Sequence, residues 1–346
     1  QLVFHSMVLT TFVTIISVPY DAVINAHENL IFLSAVDVLG FVLKLGLAIY
    51  LFYSPYDQLI TYAFVLLAIQ IVLRLIKQVY SRRKYQDCQI NFKKYRDKKL
   101  RKEIVSFSWW NLFGSIASMS ITQARSILLN VFFGTSINAA EGISKNMSNQ
   151  LNTVSVSMTH AINPQIIKSE GSGNRNRLVK LTILSTKFSS FLFALFSIPA
   201  LYETPYLLNL WLKKVPDYSV PFSRLMILAL LIGKFTFEIT NAIRAIGDIK
   251  KFQLRETFLV VLSLPVVYLL FENGYSPEYF FYVIILISLL VAINRLYLAK
   301  IIVQMNPFIF MRNAIIPVLP AIILSFTYLS FLTLFMEQSL IRTIFS

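Results

Sequence analysis

The chain has 346 residues, of which 56% are hydrophobic and only 14% are charged. A soluble domain has about 25% charged residues, so this composition indicates a polytopic membrane protein. The net charge of +15 does not indicate nucleic-acid binding, because the basic residues cluster in short segments between apolar runs. The single cysteine, Cys88, excludes an internal disulfide and a cysteine-based metal cluster, and we expect no metal and no cofactor.

Apolar segments of about 20 residues, the length that crosses a bilayer as a helix, recur along the whole chain. We predict an all-α polytopic membrane protein, a two-lobed helix bundle with about ten spans. In chain order the predicted spans are Leu2–Asn25, Ile31–Tyr53, Leu59–Val79, Phe107–Phe132, Ile137–Ile167, Leu181–Tyr202, Pro221–Ala242, Phe258–Phe271, Tyr279–Leu298 and Ala314–Phe335. The sequence opens in an apolar run without an initiator Met and stops just after another span. We therefore expect a fragment that lacks helices at both ends.

The longest polar stretch, Tyr80–Glu103, is rich in Lys and Arg. It predicts three parts: residues 1–79 as the last helices of one lobe, 80–105 as a basic linker, and 106–346 as the second lobe. Loops on one side of the predicted membrane are basic and loops on the other are neutral, acidic or mixed, so the linker and Cys88 should face the cytoplasm. We interpret the linker mainly as an anchor on anionic lipid, with a partner-binding segment as the alternative.

The stretch Trp109–Ile166 combines two membrane-length segments with polar residues in their interiors, joined by a predicted turn at Gly134–Asn138. Ionisable groups at membrane depth are costly and usually face a bundle interior or a wet cavity. Polar residues at spacings of mostly three or four share one face of the second segment. They are Glu141, Lys145, Asn149, Asn152, Thr159 and Asn163. Interhelical hydrogen bonds are one explanation, but the length and charge of this stripe favour a cavity lining.

Two other spans carry charges at helical spacing. Lys234 and Glu238 are four residues apart, so they either neutralise each other within one helix or have separate roles. Asp37 and Lys44 are two turns apart on one face of the second span. The predicted substrate-binding residues are Arg125, Lys145, Asn149, Asn152, Lys44 and Lys234. The predicted ion-coupling residues are Asp37, Glu141 and Glu238.

No G-x-S-x-G or P-loop motif occurs, so we predict that the chain is not an enzyme. Six strings spread over nearly the whole chain are distinctive. They are VPYDAVINAHEN (Val18–Asn29), WNLFGSIA (Trp110–Ala117), ILLNVFFGTSINAAEGI (Ile127–Ile143), AINPQIIKS (Ala161–Ser169), LLNLWLKKVPDY (Leu207–Tyr218) and AIGDIKKFQ (Ala245–Gln253). Together they resemble the Wzx-type polysaccharide flippases of the MATE-like, MOP exporter superfamily.

The resemblance implies alternating access in a bacterial cytoplasmic (inner) membrane. The implied cargo is an oligosaccharide repeat unit on undecaprenyl pyrophosphate, used for surface polysaccharide or lipopolysaccharide synthesis. It also implies membrane lipids and glycan polymerase machinery as partners, and no nucleic acid. Arg125 and Lys145 would bind the pyrophosphate, and the alternative is that Arg125 pairs internally with Glu141.

A second hypothesis is a cation-coupled exporter of small molecules or drugs from the same superfamily. The charge of the cavity separates the two, because a carrier of organic cations should have an excess of carboxylates. The predicted cavity residues include four basic side chains and three acidic ones, and this excess of positive charge favours an anionic cargo. The basic residues are Lys44, Arg125, Lys145 and Lys234, and the acidic residues are Asp37, Glu141 and Glu238.

Overall fold

The computed structural model describes residues 1–53, 55, 57–85 and 97–335, and this part of the chain contains helices and no strand. The helices are α1 (Leu2–Ala26), α2 (Leu30–Tyr53), α3 (Gln58–Lys84), α4 (Lys98–Gly171), α5 (Arg175–Trp211), α6 (Ser219–Ile246), α7 (Lys250–Val261), α8 (Ser263–Glu272), α9 (Tyr279–Leu298), α10 (Pro307–Phe310) and α11 (Leu319–Phe335). A π-helical turn, Ala299–Val303, extends α9, and short π and 3₁₀ turns join α10 to α11. The predicted all-α fold is confirmed.

Within the described residues, nine helical stretches are long and apolar enough to cross a membrane. Helices α7 and α8 together form one of them, Lys250–Glu272. Helix α4 is counted once among the nine, but it reverses direction at Gly134 and therefore provides two arms. Counting both arms gives ten spans, which agrees with the prediction of about ten. The chain is a multi-pass membrane protein.

The chain divides into two compact units, Gln1–Asp97 and Lys98–Ser346, which we call the first and the second unit. In the predicted linker, residues 80–84 continue α3 and residues 98–105 begin α4. Cys88, which we expect to face the cytoplasm, lies outside the described residues.

Helix α3 organises the first unit, because α1 and α2 both pack against it. Its Lys77 ammonium group lies 2.8 Å from Asp21 Oδ1 on α1 and 3.8 Å from Asp37 Oδ1 on α2. At the turn between α1 and α2, Asn29 Nδ2 donates a hydrogen bond to the Tyr80 hydroxyl at 2.5 Å. One cation therefore links all three helices of this unit, and the sequence analysis overlooked it.

Gly134 divides α4 into a first arm (residues 98–133) and a second arm (residues 135–171). Its φ of 83° and ψ of −178° belong to a region that is essentially restricted to glycine. Ser126 Oγ lies 2.9 Å from Lys145 Nζ, although 19 residues of a straight helix would separate them by about 28 Å. The two arms therefore fold back as a hairpin. The predicted turn at Gly134–Asn138 is too long, because residues 135–138 are already helical.

Helix α6 is the centre of the second unit and packs against α4, α5 and α9. Hydrophobic side chains of these helices form the core, among them Ile239 of α6, Leu178 of α5 and Phe281 of α9, each fully buried. Helix α6 nevertheless carries buried polar groups in the same stretch: Lys234, Thr236, Glu238, Thr240 and Asn241. Since these groups lie at the packed centre of the unit, their partners determine what the unit can bind.

The backbone of Gly134 generates our first prediction. An added Cβ at this position meets no neighbouring atom, so Gly134→Ala should act through backbone strain alone. We expect a loss of about 1–3 kcal/mol in the free energy of unfolding, measured by denaturation of the purified protein in detergent.

Gly142→Ala is the matched control. Gly142 lies in the second arm of the same hairpin, has helical geometry and also has open space around a Cβ. Alanine there should stabilise the helix by up to about 1 kcal/mol. Equal effects of the two substitutions would contradict a hairpin that depends on the glycine conformation.

Candidate functional site

Glu238 of α6 is fully buried and hydrogen-bonded at both carboxylate oxygens. Thr159 Oγ1 of α4 donates to Oε1 at 2.7 Å, and Asn241 Nδ2 donates to Oε2 at 2.9 Å. Such donors offset part of the cost of placing a carboxylate in a low-dielectric interior. Glu238 is therefore held between α4 and α6 by neutral partners.

Lys234, one turn before Glu238, is 5% exposed. Its ammonium group lies 5.4 Å from the centre of the Phe237 ring and 6.0 Å from that of Phe193. Glu238 interacts with it electrostatically, so mutual neutralisation of the two charges stays a prediction. Within the described part of the chain, however, no carboxylate oxygen lies within 4 Å of the ammonium group. The reason is that Glu238 turns toward Thr159 on α4, whereas Lys234 lies against aromatic rings.

Glu141 and Lys145 form a closed network with Ser126 across the α4 hairpin. Lys145 Nζ forms an ion pair with Glu141 Oε1 and donates to Ser126 Oγ, which in turn donates to Glu141 Oε2 at 2.9 Å. The Glu141 side chain is 3% exposed. Lys145 is thus paired inside the hairpin, and its predicted role in binding the pyrophosphate stays a prediction.

Arg125 lies opposite the interruption between α7 and α8. Its Nε donates to Ser263 Oγ at 2.8 Å and its Nη2 to the Val260 carbonyl at 3.3 Å. The Val260 carbonyl at this interruption accepts from both Arg125 and Ser263 Oγ, so side chains supply hydrogen bonds where the helix is broken. Arg125 therefore stabilises the break. Among the described residues no Glu141 oxygen lies within 4 Å of Arg125, but the two charges interact electrostatically, so pairing with Glu141 stays an alternative.

A cavity of about 300 Å³, which we call the Lys234 cavity, lies between α4, α6, α7 and α9. The polar and charged side chains on its wall are Arg125, Asn152, Lys234, Glu256, Ser288 and Arg295. Asn152 Oδ1 is buried and has no hydrogen-bond partner among the described residues. The structure thus brings three of the predicted substrate residues, Arg125, Asn152 and Lys234, to one space.

A second cavity of about 370 Å³, the Gln253 cavity, lies between the first arm of α4, α6, α7 and α9. Its polar wall includes Ser115, Ser118, Thr240, Arg244, Gln253 and Thr257. The two cavities share four lining residues: Phe237, Glu256, Val260 and Arg295. They are therefore neighbouring chambers with one common wall.

The ion pair between Arg295 and Glu256 forms the charged part of the common wall. Arg295 Nε donates to Glu256 Oε2 at 3.2 Å and Nη2 donates to Oε1 at 2.5 Å, which is a bidentate arrangement. The Arg295 guanidinium also lies 5.8 Å from the centre of the Phe237 ring. Phe237 thus has the cations of both Lys234 and Arg295 beside it.

Basic side chains outnumber acidic ones on the walls of these chambers. Four cations, Arg125, Lys234, Arg244 and Arg295, line one or both, and Glu256 is the one carboxylate among the described lining residues. Because Glu256 is engaged by Arg295, the chambers favour an anion. Arg295 and Glu256 were not among the predicted site residues, although Arg295 is the one charged residue within α9 and is therefore visible in the sequence.

Six of the nine predicted site residues line neither chamber: Glu141, Lys145 and Glu238, described above, and Lys44, Asp37 and Asn149. Lys44 and Asp37 belong to the first unit and are exposed there; Lys44 lies over the Phe41 ring at 5.9 Å. Asp37 approaches Lys77. Asn149 is exposed on the second arm of α4 and does not line either chamber.

The hairpin network generates our second prediction. Lys145→Met removes the cation in contact with the buried Glu141 carboxylate and leaves Ser126 as its hydrogen-bond donor, so we expect a loss of about 3 kcal/mol in the free energy of unfolding. Adding Glu141→Gln removes the orphaned charge, and the double variant should regain much of that loss. Denaturation of the four proteins of this cycle in detergent measures the coupling.

The pair Arg175–Glu170, with Nη2 2.6 Å from Oε1, is the control cycle because its side chains are more exposed. A coupling of about 1 kcal/mol or less is expected there. Equal coupling in the two cycles, or a double variant at Glu141 and Lys145 that loses the sum of the single effects, would contradict a buried charge network.

Comparison with solved structures shows one similar fold, that of the crystal structure of a mutant MATE protein. The TM-score is 0.67 at 14% sequence identity, and the match covers 78% of this chain and 61% of that chain. No protein-family model and no curated protein sequence matches this chain. This chain therefore has a MATE-like fold and corresponds to less than two thirds of the length of the MATE protein.

Proposed function

We propose that the chain is part of a flippase that moves oligosaccharides linked to undecaprenyl pyrophosphate across a bacterial cytoplasmic membrane. The observation that carries the proposal is the basic lining of the two chambers in the second unit. A pyrophosphate cannot cross hydrocarbon unaided, so its carrier needs a polar route with cations along it. The resemblance of the sequence to polysaccharide flippases supports the same cargo.

The size of the chambers indicates which part of the cargo they would accept. Pockets for whole small ligands measure about 300–1,000 Å³. Chambers of about 300 and 370 Å³ suit a phosphate or pyrophosphate group with a sugar, and are too small for a whole repeat unit with its lipid. In the proposed mechanism the second unit binds the charged headgroup, and the rest of the cargo lies outside these chambers.

A cation-coupled exporter of small molecules is the second candidate, and Glu238 is the observation that favours it. A fully buried carboxylate held by two neutral donors is a candidate for coupling an ion to transport, because an ionisable group within a membrane span commonly has a functional role. The MATE-like fold is compatible with either cargo. In proteoliposomes, uptake of an organic cation that disappears in Glu238→Gln, together with absent glycan transport, would favour this candidate over the flippase.

Lys234 provides the direct test of the flippase. We expect Lys234→Met to reduce glycan export about 10- to 100-fold, because a charge-assisted contact to phosphate contributes about 1.5–3 kcal/mol. The cost of burying this cation should outweigh its attraction to Glu238, since no carboxylate oxygen contacts it among the described residues, so the free energy of unfolding should stay equal or rise. Export is measured by complementation in cells that lack their own flippase, and stability by denaturation in detergent.

Arg177→Met is the control, because Arg177 is exposed at the start of α5 and lines neither chamber. It should export at the normal rate. Normal export by a folded Lys234→Met protein would contradict the proposed role of the basic chambers.

A further inference from the structure

An ion pair between Arg295 and Glu256 forms part of the common wall of the two chambers. Arg295 uses Nε and Nη2 on both oxygens of Glu256, and this pair closes the wall together with Phe237 and Val260. The side chains are 10% and 19% exposed, so the pair is largely withdrawn from solvent. A bidentate guanidinium fits a phosphate group with the same two-point geometry that it uses for a carboxylate.

Lys234 places a second cation on the wall of the Lys234 cavity, which Arg295 also lines. Its ammonium group and the Arg295 guanidinium lie beside one aromatic ring, that of Phe237. Glu256 engages Arg295, whereas no carboxylate lies within 4 Å of Lys234 among the described residues. The wall of the Lys234 cavity therefore contains one carboxylate, Glu256, for three cations, Arg125, Lys234 and Arg295, among its described residues. This excess of positive charge favours a further negative charge in the cavity.

The Lys234 cavity also contains a neutral polar group without a partner. The Oδ1 atom of Asn152 is buried and accepts no hydrogen bond from the described residues. Arg125 and Lys234, which could donate one, line the same cavity. Buried acceptors are usually satisfied, so an unsatisfied one on a cavity wall points to a ligand or to water that donates to it. The protonated oxygen of a phosphate or the hydroxyl of a sugar supplies such a donor.

We infer that the common wall is a phosphate-binding site at which Arg295 exchanges the Glu256 carboxylate for a phosphate group, while Lys234 binds the second charge of a pyrophosphate. Glu256 then acts as an internal competitor that keeps Arg295 neutralised when no cargo is bound. Separation of the pair opens the wall, so binding and passage between the chambers are coupled. This inference rests on the proposed anionic cargo and assigns its charged group to named residues.

Titration of the purified chain with two probes tests the exchange. Inorganic pyrophosphate represents the free anion, and farnesyl pyrophosphate represents an anion attached to an isoprenoid lipid. Glu256→Gln removes the competitor but retains the shape of the side chain, so we expect the Kd of the bound probe to fall about tenfold in calorimetry. A fall with both probes assigns recognition to the headgroup, and a fall with farnesyl pyrophosphate alone assigns it to a lipid-borne headgroup.

Arg295→Gln should abolish binding, but it leaves Glu256 unpaired and can unfold the protein. The double variant Arg295→Gln with Glu256→Gln avoids this problem because both side chains are neutral, and it should also lose binding. Glu170→Gln is the matched control, since it breaks a similar Arg–Glu pair away from both chambers. Equal Kd values for the control and Glu256→Gln, or normal binding by the neutral double variant, would overturn the inference.

The titration separates the inference from the proposed function. A chain that shows this binding pattern but moves no lipid-linked glycan in vesicles would contradict the flippase and support the phosphate site. A chain that moves glycan, but whose pyrophosphate affinity does not respond to Glu256→Gln, would overturn the exchange and support the flippase.

Discussion

A charged or polar group within the thickness of a membrane has no water to hydrogen-bond with, so the protein must supply its partner. This constraint explains the contacts that join the helices of both units. In the first unit Lys77 draws Asp21 and Asp37 to one helix. In the second unit Thr159 and Asn241 hold Glu238, and Ser126 completes the pair of Glu141 and Lys145. Each network uses residues from different helices or from different arms of a hairpin.

Several of these contacts form because α4 folds back on itself as a hairpin. Because Gly134 adopts a glycine-only conformation, the two arms lie side by side and Ser126 reaches residues 141 and 145. The first arm also directs Arg125 to the break between α7 and α8. One backbone position therefore determines both the neutralisation of Lys145 and the support of a distorted helix.

Lys234 departs from the pattern, since its buried ammonium group lies against aromatic rings with no carboxylate in contact among the described residues. Natural proteins retain such costly groups mainly where function needs them. Its position on a chamber with Arg125 and Arg295 gives a physical reason for the cost, because an anionic cargo would supply the missing partner. The proposed flippase rests on the basic lining to which Lys234 contributes, and the proposed phosphate exchange rests on the neighbouring pair of Arg295 and Glu256.

The sequence by itself determined the membrane character, the helical fold and the approximate number of spans, because apolar length and the spacing of basic loops are local properties of the chain. It also identified Arg125, Asn152 and Lys234, which lie on one cavity, since charge within an apolar span is visible without a structure. Only the tertiary structure decided the partners. Lys145 is neutralised because a hairpin brings it to Glu141 and Ser126, and Glu238 turns to Thr159 on another helix rather than to Lys234 on its own. The pair of Arg295 and Glu256 was not foreseen for the same reason: its members are 39 residues apart, and only helix packing brings them together.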